Sequence, residues 1–316
     1  MSERNYDVII VGGGPGGLCA GMYAARAMRK TVCLERFMTG GQIALTGDVE
    51  DYPGFEHILG PELAKKFTDH AVKFGLEIER EEVADIYCEG DERLVRCESG
   101  NIYRGKVVIL STGGTPVKLD VSGEEEYSGK GVSYCAICDG AFFKDKVIAV
   151  VGGGDAAVEE GTFLTKYGSK VYIIHRRDQL RAQKIIQQRA FDNSKIEFIW
   201  DTVVKLIKGD DKSVTSLSLK NIKTGENSDL EVGAIFIYVG FHPNTGIIKG
   251  QIETDKNGYV LTNDHMETNI KGIYACGDVR SQLVRQVTNA VGDGTTAAVA
   301  AEKYMEKLED KLAQRV

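Results

Sequence analysis

Two stretches of this chain repeat one pattern, and that pattern restricts the fold more than anything else in the 316 residues. In the first, the uncharged run Val8–Val11 leads into Gly12, Gly14 and Gly17 with G-x-G-x-x-G spacing. A helix is expected over 16–28, with small residues toward a sheet, then a second strand over Thr31–Leu34 that ends at Glu35. Strand, glycine turn, helix, strand and acid together form a dinucleotide-binding βαβ unit. A short all-apolar strand also points to a parallel sheet buried on both faces. Each glycine has a task. Gly12 allows the tight turn, Gly14 lets backbone approach a pyrophosphate at the helix N-terminus, and Gly17 lets helix and strand pack closely. Glu35 is placed to accept hydrogen bonds from a ribose hydroxyl.

The second stretch runs from Val147–Val151 through Gly152, Gly154 and Ala157, a helix continuing over Glu159–Lys166, and a return strand at Val171–Ile174. Gly152 lies 140 residues after Gly12, about one domain length, so two domains are expected. The copies differ where a dinucleotide's ribose is read. The position equivalent to Glu35 is His175, and Arg176, Arg177 and Arg181 follow. An acid there repels a 2′-phosphate, whereas a basic cluster binds one. The first site therefore suits FAD or NAD and the second suits NADP; a solvated basic turn is the plain alternative for 175–177.

Composition explains little else, but it excludes several classes. The 37 glycines and 5 prolines show no Gly-X-Y period and no low-complexity tract, which removes collagen-like and linker proteins. A net charge of −7 does not suit a phosphate backbone, so no nucleic-acid partner is expected. Residues 8–25 carry no charge, yet six are Gly and one is Pro, so neither a membrane span nor a signal peptide is expected. The reading is a cytoplasmic protein with no membrane partner.

Cys135 and Cys138 stand in C-x-x-C spacing with Asp139 directly after them, 14 residues before Gly152. The spacing suits a reversible disulfide, and an adjacent carboxyl suits proton transfer at sulfur. A zinc half-site would need a second ligand pair, and the sequence shows none; a packed structural pair stays open. Near the C-terminus, a strand at Ile273–Cys276, a turn at Gly277–Asp278 and an alanine-rich helix over 286–307 are expected. Asp278 can meet a ligand hydroxyl or simply cap a helix. A nicotinamide gives up two electrons as hydride, and a disulfide takes two electrons with protons; a flavin joins the two. The combination implies a pyridine-nucleotide disulfide reductase.

The motifs GGGPGG, Gly40–Gln42, Cys135–Gly140, GGGDAAVEE, HRRDQLRA, GFHPNT, YACGDV and Arg285–Gln286 occur in an order that resembles low-molecular-weight bacterial thioredoxin reductases over essentially the whole chain. The resemblance implies an α/β fold with two Rossmann-like domains. The FAD domain (1–115 and 246–316) would be split by an inserted NADPH domain (116–245), joined by strands near 113–117 and 243–247. It implies FAD held by Gly12, Gly14, Gly17, Glu35, Gln42, Asp278, Arg285 and Gln286. It implies NADPH held by Gly152, Gly154, His175, Arg176, Arg177 and Arg181. Cys138 would face the flavin, Cys135 would attack the disulfide of a partner thioredoxin, and Asp139 would be the acid. A homodimer is also implied. Two stretches depart from the family pattern: Asp51 stands where Asn is common, and Ser111–Pro116 differs from the usual form. Both are expected to tune the flavin and to leave the chemistry alone.

Overall fold

The computed structural model describes residues 3–248 and 250–313. The chain divides into two compact units. One comprises 1–44, 49–115 and 242–316, and the other comprises 45–48 and 116–241. The second crossing falls at 241/242, four residues before the boundary read from the sequence. A two-stranded ribbon of Gly114–Pro116 with Phe241–Pro243 carries the chain across.

The first unit is built on a five-stranded parallel sheet. Its spatial order is Ile273–Ala275, Val107–Leu110, Val8–Val11, Thr31–Glu35, Glu77–Arg80. Counted along the chain within this sheet, that is the doubly wound 3-2-1-4-5 order, which reverses between Val8–Val11 and Val107–Leu110. Alternation along one strand explains why its whole run is apolar. Val8 and Ile10 pack on the helical side with Leu18, Ala24 and Ala297. Ile9 and Val11 pack on the other side with Ile86, Val95 and Tyr103, which belong to a separate four-stranded sheet. The first fingerprint helix spans Pro15–Arg26, two residues short of the expected end, and the C-terminal helix spans Val287–Ala313, longer than expected.

The second unit repeats this plan. Its parallel sheet runs Val132–Ser133, Ala234–Tyr238, Val147–Gly152, Lys170–Ile174, Ile196–Ile199. Ile148 and Val150 face helices through Ala157 and Leu164, while Ala149 and Val151 face Val204, Ile207 and Leu217 of an antiparallel three-stranded meander. The fingerprint helix stops at Leu164. Both glycine turns therefore leave the sheet where its strand order reverses, the position at which open α/β sheets bind ligands.

Candidate functional site

The two glycine turns share their geometry atom for atom in kind. Gly12 has φ +102, and a Cβ there would lie 2.3 Å from the Ser111 carbonyl oxygen on the neighbouring strand end. Gly152 has φ +150, and a Cβ would lie 2.3 Å from the Tyr238 carbonyl oxygen. Any side chain at either position is both strained and blocked. The third fingerprint residues close the turn from the helix side: a Cβ on Gly17 would meet the Gly12 oxygen at 2.1 Å, and Ala157 is fully buried beside Gly152. By contrast, Gly14 and Gly154 open onto free space and are the N-caps of their helices, with no side chain capping either one. Bare helix N-termini with room in front of them fit the pyrophosphate of a dinucleotide.

The residues after the return strands diverge. Glu35 lies over Gly13; its Oε2 accepts the Gly13 N–H at 2.8 Å and its Oε1 accepts the Phe37 N–H at 3.0 Å. The carboxylate is held rigidly and keeps further lone pairs for a hydroxyl donor. His175 occupies the same place in the second unit. Its imidazole lies over Gly153, where a Cβ would meet Cε1 at 2.4 Å. It is buried, its Nε2 has no hydrogen-bond partner among the described residues, and burial holds it below the ordinary histidine range. His175 underlies the glycine turn, while Arg176, Arg177 and Arg181, expected with it at a nucleotide, are exposed and line an open cleft of about 430 Å³. Lys223 stands at the same cleft but is paired with Asp178 and Asp201 at 2.8 and 3.0 Å.

In the first unit, Gln42 sits in the short 3-10 turn Gly41–Leu45 and donates to the Gly114 carbonyl at 3.3 Å. Arg285 is exposed and stacks over the Tyr259 ring at 3.9 Å, and Gln286 immediately precedes the C-terminal helix. The Asp278 carboxyl receives no hydrogen bond among the described residues, and burial pushes it up, with Arg285 acting in the opposite direction. Its turn is fixed instead by Asp293, whose Oδ2 accepts the Gly277 N–H at 3.0 Å and whose Oδ1 pairs with Arg280 at 2.7 Å. Asp51 is exposed, just after the short strand Asp48–Val49.

Cys135 and Cys138 are joined in a disulfide with Cα atoms 5.4 Å apart. The pair opens the one-turn helix Ala136–Asp139 within the second unit. Cys135 Sγ accepts the Cys138 N–H at 3.2 Å. Cys135 is half-buried and Cys138 exposed. Asp139 accepts a hydrogen bond from Ser133 at 2.7 Å. No group of three or more His, Cys, Asp or Glu that could hold a metal occurs among the described residues.

A family model for pyridine nucleotide-disulphide oxidoreductases matches residues 6–294. The chain belongs to this family. It is 47% identical to the thioredoxin reductase of Bacillus subtilis over 310 residues, 98% of each chain. Among solved structures, thioredoxin reductase from Lactococcus lactis is 50% identical with a TM-score of 0.94, covering 96% of this chain and 99% of that one. The T. acidophilum thioredoxin reductase is 36% identical with a TM-score of 0.92 over the same shares. As a pyridine nucleotide-disulphide oxidoreductase, the chain is an oxidoreductase with Cys135–Cys138 as its redox-active disulfide. No helix among the described residues is long and apolar enough to cross a membrane.

Sequence reasoning did not find Ser133, Glu124, Glu160 or Asp293, all buried polar residues at or near these sites. Single serines and acids carry no spacing signal. A polar residue inside an otherwise apolar strand, as in Gly131-Val132-Ser133, was the one mark available for Ser133.

Proposed function

We propose that the protein is an NADPH-dependent thioredoxin-disulfide reductase that uses FAD. The observation that carries this reading is the bonded Cys135–Cys138 pair, set in the same unit as a glycine turn and an arginine cleft. The first glycine turn fits FAD: open backbone at Gly14, a rigid Glu35 acceptor, and Asp278 with no competing partner among the described residues. When bound there, a flavin supplies the two-electron chemistry that links a hydride donor to a disulfide. Gly152 and Gly154 would hold the NADPH pyrophosphate, and Arg176, Arg177 and Arg181 its 2′-phosphate. His175 would shape the turn from beneath.

The chain's own part is at sulfur. Reduction of Cys135–Cys138 breaks the S–S bond and leaves two thiols. The Cys135 thiolate then attacks the disulfide of thioredoxin and forms a mixed disulfide, and Cys138 resolves it, restoring the Cys135–Cys138 bond and releasing dithiol thioredoxin. The N–H of Cys138, already aimed at Cys135 Sγ, stabilises that thiolate. Asp139 provides the proton for the departing thioredoxin sulfur. The protein acts in the cytoplasm as a homodimer. The arginine cleft favours NADPH over a ferredoxin donor, because no 2′-phosphate is read in the latter.

Replacing Arg176 and Arg177 together by Ala should raise the KM for NADPH by about a hundredfold and leave that for NADH nearly unchanged, since two charge-assisted contacts are lost. Equal changes for both nucleotides would contradict 2′-phosphate recognition at this cleft.

A further inference from the structure

Ser133 stands between the sulfur pair and the acid. It is only 4% exposed, at the end of the edge strand Val132–Ser133, opposite Phe236 in parallel register. Its Oγ accepts the Cys135 N–H at 3.0 Å and lies 2.7 Å from Asp139 Oδ2 and 3.3 Å from the Cys135 carbonyl oxygen. A hydroxyl has one proton to donate. The shorter contact to a carboxylate takes it, because a charged acceptor makes the stronger bond. The hydroxyl therefore joins the backbone of the nucleophilic cysteine to the carboxyl of the acid.

Two other side chains anchor the same turn, and neither bonds to the acid. Tyr134 donates to Glu124 at 2.7 Å, and the Ala136 N–H donates to the Tyr238 hydroxyl at 2.9 Å. Tyr238, on the Ala234–Tyr238 strand, and Glu160, on the Asp155–Leu164 helix, are the titratable groups that face this region from other elements. Burial pushes the Tyr238 phenol well above its usual range, and burial pushes Glu160 up to about 7.

We propose that Ser133 is a positioning residue that sets the orientation of Asp139 during thiol–disulfide exchange. This rests on the reading of Asp139 as the acid. Removal of the hydroxyl frees the carboxyl to rotate away from the sulfur pair.

The test is the kcat and KM of thioredoxin reduction by the holoenzyme, measured for the native protein, Ser133→Ala, Ser133→Thr and Asp139→Asn. Asp139→Asn should lower kcat, because the proton donor is lost. Ser133→Ala should lower kcat by about tenfold, with the KM for thioredoxin unchanged. Ser133→Thr keeps the hydroxyl and should restore the rate. Flavin reduction by NADPH should proceed normally in the Ser133 proteins and reports that they are folded. If Ser133→Ala does not fold, Ser133→Val against Ser133→Thr makes the same comparison in side chains of one shape. A kcat lowered by Asp139→Asn but unchanged by loss of the hydroxyl overturns the Ser133 proposal alone. A kcat unaffected by Asp139→Asn overturns the acid assignment, and the Ser133 proposal with it.

Discussion

Glu160 shows how much one buried carboxyl can matter. It sits on the second fingerprint helix, nearly inaccessible, with Oε2 lacking a partner among the described residues, and burial pushes it up to about 7. The unfolded chain ionises the same group near 4.5. Between those values the folded state binds the extra proton, so stability falls as pH rises across the window. Glu160→Gln mimics the protonated form and has no proton to lose. Thermal unfolding should find the variant equal to the native protein near pH 4.5 and more stable at pH 8, by up to about 3 kcal/mol. A difference that is the same at both pH values would contradict the buried titration. The glycines of the second turn allow a complementary contrast. Gly152→Ala places a methyl against the Tyr238 oxygen at positive φ and should destabilise the protein by about 2 kcal/mol or more. Gly154→Ala meets nothing in the protein, so the melting temperature should hold while NADPH binding weakens at least about tenfold, about 1.4 kcal/mol. Unfolding scans with NADPH titrations separate the two effects.

Among the elements, the strand–turn–helix units were legible because each carries its own periodicity. Val8–Val11 and Val147–Gly152 bury both faces, so an unbroken apolar run marks them, and the glycine spacing fixes the turn and the helix after each. The two sheets that cover the outer faces were not read. Thr202–Gly209 and Val214–Asn221 are half-exposed, with register shifts at Val204/Leu206 and Lys208/Gly209 that break strict alternation. The offset of His175 from Gly152 locates it along the chain, but chain position does not tell whether a side chain faces the cleft or the turn beneath it. The link between the Gly277–Asp278 turn and the C-terminal helix was invisible as well, since Arg280 and Asp293 pair across 13 residues of chain. Both partners are largely buried, and removing one strands the other. Asp293→Ala should cost about 3 kcal/mol in urea unfolding and release FAD from the purified protein. Asp293→Asn, which keeps an acceptor for the Gly277 N–H, should lose less FAD. Full flavin retention in Asp293→Ala would show that the turn does not depend on this pair.

At the scale of the whole molecule, one architecture is used twice, and the differences between the copies divide the labour. Both units have a five-stranded parallel sheet, a glycine turn where the strand order reverses and a β layer behind, and they differ in that the edge strand comes last along the chain in the first unit and first in the second. In the first, Glu35 braces the turn and can receive a ribose hydroxyl. In the second, an imidazole fills the equivalent place, the arginines line the cleft, and the disulfide lies in the same unit. In the proposed function, electrons pass from nucleotide to sulfur and on to a protein disulfide. The measurement that tests this route most directly is NADPH oxidation in the presence of oxidised thioredoxin, comparing the native protein with Cys135→Ser. The native protein should turn over as long as thioredoxin disulfide is supplied. The variant should still bleach its flavin when NADPH is added under anaerobic conditions, yet reduce no thioredoxin. Sustained thioredoxin reduction by Cys135→Ser would contradict the route through the Cys135–Cys138 disulfide.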